Sequence, residues 1–99
     1  MNAEGGFKEF KTRSIVESYL TDLGLCDTQK LAQTGIVVDI HGTGEETATP
    51  MNIAFRSELD ALPMSENNDF DYKSQTDHAH MCGHDGHMTI LLTFIRALL

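Results

Sequence analysis

His78-Ala79-His80-Met81-Cys82-Gly83-His84-Asp85-Gly86-His87 holds four of the chain's five histidines and one of its two cysteines. It runs straight into Met88-Thr89-Ile90-Leu91-Leu92-Thr93-Phe94-Ile95-Arg96-Ala97-Leu98-Leu99. Imidazole, thiolate and carboxylate are the side chains that bind first-row transition metals. His80, Cys82 and His84 fall two residues apart, so in an extended backbone all three would point the same way. The apolar run that follows predicts a helix over roughly Gly86 to Leu99, broken only by a narrow stripe of Thr89, Thr93 and Arg96. The segment therefore predicts a ligand-rich loop feeding a helix that is apolar nearly all round, and such a helix belongs inside a protein.

Working back from that segment, Pro63 to Asp77 is polar and reads as a loop. Met51-Asn52-Ile53-Ala54-Phe55 and Ile36-Val37-Val38-Asp39-Ile40 have the length and composition of strands. His41 to Pro50 contains Gly42, Gly44 and Pro50, and predicts the long loop of a hairpin between those strands. From Phe7 to Leu23 the apolar residues Val16, Tyr19, Leu20 and Leu23 repeat at helical spacing, and Gly24 stands where a C-terminal cap would. Helix, hairpin, metal loop and buried helix make an α/β arrangement. One other helix and two strands are too little to cover the last helix, and the chain stops on Leu98-Leu99 without a cap. The expectation is that residues 1–99 form the N-terminal portion of one larger domain.

The chain is 99 residues long, 40% hydrophobic and 22% charged, with a formal charge of −8. That is the composition of an ordinary globular protein. Seven scattered Lys and Arg argue against a nucleic-acid partner, which would need clustered positive charge. The acidic balance likewise argues against an anionic membrane surface. No apolar stretch is long enough to span a bilayer, and the first residues lack the parts of a signal peptide. Two cysteines make a poor disulfide framework, which fits a reducing interior such as the cytoplasm.

Cys82 and His84 could both reach one ion. Asp85, at the expected start of the last helix, could cap backbone N–H groups or steady a ligand imidazole. His87 would share a face with His84 only if that helix starts early. Taken singly, His41 and His78 read as ordinary surface histidines. A second constellation is Arg56-Ser57-Glu58-Leu59-Asp60-Ala61-Leu62-Pro63. Glu58 and Asp60 can point into one site there, and Asp60 could hydrogen-bond a metal-bound histidine and fix its tautomer.

Together, Phe55-Arg56-Ser57-Glu58-Leu59-Asp60-Ala61-Leu62-Pro63, Tyr72-Lys73-Ser74 and His80-Met81-Cys82-Gly83-His84-Asp85-Gly86-His87 resemble the start of the M20 metallopeptidase-like amidohydrolases. Their branch of N-acyl-amino-acid, hippurate and indole-acetyl-amino-acid hydrolases is the most similar, and Thr34-Gly35-Ile36-Val37 resembles its early strand. The resemblance implies the N-terminal part of a zinc-peptidase-like catalytic domain, with the lid or dimerisation domain absent. It implies Cys82 and His84 as metal ligands, Asp60 as an active-site supporting residue, and His80 as not usually a ligand; His80 and Asp85 are expected behind the ligands. It implies one or two divalent ions, zinc or manganese, in the full-length protein, and a small N-acyl amino acid as substrate. A homodimer is expected only where the missing domain is present.

Where the family commonly carries R-A-D-M-D-A-L-P, this chain has Ser57 and Glu58. The family's later Glu-Glu pair, which supplies its general base, is not among these residues, so the chain alone is expected to be inactive. Two rivals use the same cluster. One is a non-catalytic zinc-binding module built on His80, Cys82, His84 and His87. The other is a thiol-redox role for Cys82.

Overall fold

The computed structural model describes residues 2–45 and 51–99. Helix α1 runs over Phe10–Asp22 and ends as its glycine predicts. Gly24 sits at φ +85°, donating to the Thr21 carbonyl, while Leu25 N–H reaches back to the Leu20 carbonyl. This pair of bonds satisfies carbonyls that a helix end would otherwise strand. Leu20 is buried and Val16, Tyr19 and Leu23 are half-buried, so the expected stripe is the inner face.

The start of α1 is capped from a distance. Its N-cap Glu9 makes no capping bond, because its carboxylate accepts from Phe7 N–H at 3.0 Å and from the buried Thr34 hydroxyl at 2.7 Å. Glu4 takes over, accepting from the Thr12 N–H at 2.8 Å and the Thr12 hydroxyl at 3.0 Å. A carboxylate there satisfies an orphan donor and faces the positive end of the helix dipole.

The α/β character holds, but the hairpin differs from expectation. Strands β1 (Thr28–Leu31) and β2 (Gly35–Val38) pair antiparallel, with Thr28 opposite Val38 and Leu31 opposite Gly35. The turn between them places Ala32 and Gln33 at φ 47° and 68°, and Arg13 of α1 donates to the Gln33 carbonyl at 3.2 Å. Residues Met51–Phe55 form no strand among the described residues, and residues 46–50 of the connection expected to join them to β2 lie outside that description. Phe55 serves instead as a packing residue. Its ring meets that of Phe94 edge-on, with centroids 4.8 Å apart.

Helix α2 covers His84–Leu98. Ahead of it, Leu62 and Ala79 exchange both backbone hydrogen bonds, at 3.0 and 2.9 Å. Around that bridge lies a small interior of Ala3, Ala61 and Ala79. The N-terminal segment is stitched in by Ala61 N–H to the Glu4 carbonyl, 2.7 Å, and the Thr76 hydroxyl to the Ala3 carbonyl, 2.6 Å. On α2 only Met88 and Ile95 are buried, while Ile90, at 69% exposure, and Leu98 are open. Thr89 and Thr93 donate to the carbonyls of Asp85 and Thr89 on their own helix. These two hydroxyls thereby satisfy their donors within the helix. Among the described residues no helix is long and apolar enough to cross a membrane.

Candidate metal centre

The bridge between Leu62 and Ala79 sets the site. It fixes the strip ending in Asp60 beside the loop that leads to His84, although the two are far apart in sequence. The loop does not stay extended. Met81 and Cys82 form a turn, and Gly83 takes φ +78° as the N-cap of α2. That left-handed residue breaks the alternation on which a common direction for His80, Cys82 and His84 depends. It also starts the helix at His84, earlier than Gly86, so His84 and His87 share a face with ring centroids 5.9 Å apart. Asp85 lies inside the first turn, and no side chain caps the helix.

Each expected residue then has a definite place. His84 Nδ1 lies 2.9 Å from the Asp60 carboxylate and 3.0 Å from the Asp60 carbonyl. Both partners are acceptors, so Nδ1 is the protonated nitrogen and Nε2 is left with a free lone pair. This is the arrangement in which a carboxylate orients a metal-binding imidazole. Cys82 is exposed and stands outside the cluster that gathers round His84. His80 is half-buried, and its buried Nδ1 has no hydrogen-bond partner among the described residues. Its ring lines a recess of about 170 Å³ together with Asp85, Glu66 and Tyr72.

Glu58, His84 and His87 are drawn together. Each offers one ligand atom, and these atoms lie within 4.8 Å of one another. The two oxygens of Glu58 are divided: Oε1 pairs with Arg56 at 2.7 Å, and Oε2 faces His87 Nδ1 at 3.4 Å. The backbone N–H of Glu58, then the His87 ring and the Arg56 charge, hold the Glu58 carboxyl below its ordinary range. It is therefore an anion at neutral pH. Two imidazoles and a carboxylate are a donor set suited to a divalent transition metal, so the residues present fit such an ion. Beside them an open groove of about 550 Å³ is walled by Phe55, Ile90, Leu91 and Phe94.

Comparison with known proteins falls on the same residues. Residues 54–99, which span both Glu58-Leu59-Asp60 and the whole of α2, match the profile of Peptidase family M20/M25/M40. Over 89 residues the chain is 45% identical to a protein of Staphylococcus epidermidis named uncharacterized hydrolase. It is 43% identical to one of the same name from Staphylococcus haemolyticus, and 40% identical to one from Staphylococcus aureus. Each match takes in 89% of this chain and 22% of the relative, so the chain spans about a fifth of the length of these curated relatives.

Proposed function

We propose that residues 1–99 are the N-terminal portion of an M20-type catalytic domain. The parent reaction would be metal-dependent hydrolysis of the amide bond of an N-acyl amino acid or a related conjugate. The observation that carries this reading is the bond from His84 Nδ1 to Asp60, formed within the residues that match the family profile. By the family's pattern, Cys82 and His84 would hold a divalent ion, zinc or manganese. When bound, such an ion acidifies water and polarises a carbonyl.

This chain's own residues would orient and support. Asp60 keeps the His84 proton on Nδ1 and its lone pair on Nε2. Gly83 turns the ligand loop into α2. Phe55, Ile90 and Phe94 offer an apolar wall on which a substrate's acyl portion can rest. Moving a proton to the leaving amine calls for a positioned general base, and in the family that base is a glutamate of a later Glu-Glu pair. The isolated chain is therefore expected to hydrolyse no N-acyl amino acid, in zinc or in manganese. Metal-dependent turnover by the purified chain would overturn that expectation. A coding sequence that continues in frame past Leu99 to a Glu-Glu pair would support the hydrolase reading, and activity of that longer product on N-acyl amino acids would test it directly.

A further inference from the structure

We infer that the N-terminal strap Ala3-Glu4-Gly5 holds the Asp60–Ala61 peptide against His84, and so sets which nitrogen of that ring carries the proton. Glu4 and Gly5 are then positioning residues, remote in sequence from the ring they orient. Their functional meaning rests on the hydrolase reading, which needs the His84 lone pair on Nε2.

The Ala61 N–H and the Asp60 carbonyl belong to one peptide unit. No peptide bond among the described residues is cis, so this donor and acceptor point from opposite edges of one plane. On one edge the Ala61 N–H donates to the Glu4 carbonyl at 2.7 Å. On the other, the Asp60 carbonyl accepts from His84 Nδ1 at 3.0 Å. Glu4, peptide and imidazole therefore form a chain in which each hydrogen bond polarises the next. The second acceptor on Nδ1 is the Asp60 carboxylate, whose side chain is 48% exposed and free to turn about its own bonds. The peptide has no such freedom, which makes the carbonyl held by the strap the fixed partner of the ring.

The strap is itself tied at both ends. The Glu4 carboxylate joins it to α1 through the N–H and hydroxyl of Thr12. The Thr76 hydroxyl joins Ala3 to the stem of the loop at 2.6 Å. Gly5 is buried between these ties, in a slot with no room for a side chain. A Cβ there would stand 2.8 Å from the Ala61 carbonyl oxygen and 2.9 Å from the His78 ring, which Asp77 holds in turn at 2.9 Å. Gly5 is not among the residues with positive φ, so close contact, not backbone conformation, calls for glycine. An added methyl group would push the strap off Ala61, because a backbone oxygen cannot rotate out of its way.

Nitrogen NMR of the His84 ring reads the tautomer directly, in chelator-treated chain at a pH where the imidazole is neutral. Three variants are compared, each checked for folding by circular dichroism. Gly5→Ala displaces the strap, and Thr76→Val removes its tie at Ala3. Gly24→Ala strains the end of α1, where φ is +85° and nothing lies near the added Cβ, and so weakens the fold without touching the strap. The wild type is expected to hold His84 in the Nδ1–H form alone. Gly5→Ala should give a mixture of tautomers, with exchange of the Ala61 amide about fivefold or more faster. Thr76→Val should move both readings the same way by less, and decides the matter alone should Gly5→Ala not fold. Gly24→Ala should keep the wild-type tautomer. An unchanged ring in the folded strap variants would overturn the inference. So would equal mixing in Gly24→Ala, or a wild-type ring without its proton on Nδ1. The hydrolase reading is judged on the residues after Leu99 and on turnover, so either proposal can fail while the other stands.

Discussion

Asp60 and His84 show how little local chemistry is needed to define a site. One carboxylate 2.9 Å from Nδ1 decides which imidazole nitrogen can bind a cation. Asp60→Ala is expected to weaken cobalt or zinc binding by about 10–100-fold, measured by titration, while the chain stays folded. A second prediction concerns Glu66, whose carboxylate accepts from the Ser74 N–H at 2.7 Å and from Asn68. The Ser74 bond, then the Asn68 bond, hold its carboxyl below the ordinary glutamate value of 4.5. Because the folded value is lowered, this contribution to stability is present above the unfolded value and lost as pH falls through the folded one. The Ser74 amide resonance should shift with a midpoint below 4.5 in the wild type, and Glu66→Gln should abolish that transition. The Asp60 contact was legible in the sequence, because a carboxylate just after an apolar segment and a histidine in a ligand-rich loop are complementary. The place of Cys82 was not. Equal spacing implies a common direction only while the backbone stays extended, and nothing in the letters Cys-Gly-His states that Gly83 will take a positive φ.

Among the elements, α1 was legible to within one residue at its end, where apolar periodicity and a glycine stop agree, and began three residues later than expected, at Phe10. In the hairpin, β2 was legible as Ile36-Val37-Val38, but its partner β1 was hidden. Thr28-Gln29-Lys30-Leu31 is largely exposed and carries little of the β-branched, aromatic content that marks a strand. Its turn relies on positive φ at Ala32 and Gln33, not on Asn-Gly chemistry. For α2, two glycines should respond oppositely. Gly83→Ala forces a methyl group into the left-handed region and should destabilise the fold by about 1–2 kcal/mol. Gly86 lies within the helix with nothing near the position a Cβ would take, so Gly86→Ala should stabilise by about 0.5–1 kcal/mol. Urea denaturation of the two variants measures both. Glu4→Ala removes the remote cap of α1, at a cost of about 1 kcal/mol, readable in the same experiment.

At the scale of the whole molecule, apolar surface is the dominant feature. Ile53, Ile90, Leu98 and Leu99 are each more than half exposed, which fits a helix apolar on nearly every face. The purified chain should therefore enhance ANS fluorescence, and paired Ile90→Lys and Phe94→Lys substitutions should reduce it. The bridge between Leu62 and Ala79 has a consequence for how sequences of this kind can vary. It acts as a clasp, so the stretch 63–78 beyond it can be lengthened or shortened while Asp60 and His84 stay in reach of each other. Between the clasp and either of those residues there is no such slack. A single inserted amino acid at 61 or at 82 would carry carboxylate and ring out of register, and natural insertions and deletions should gather in the loop and spare its two stems.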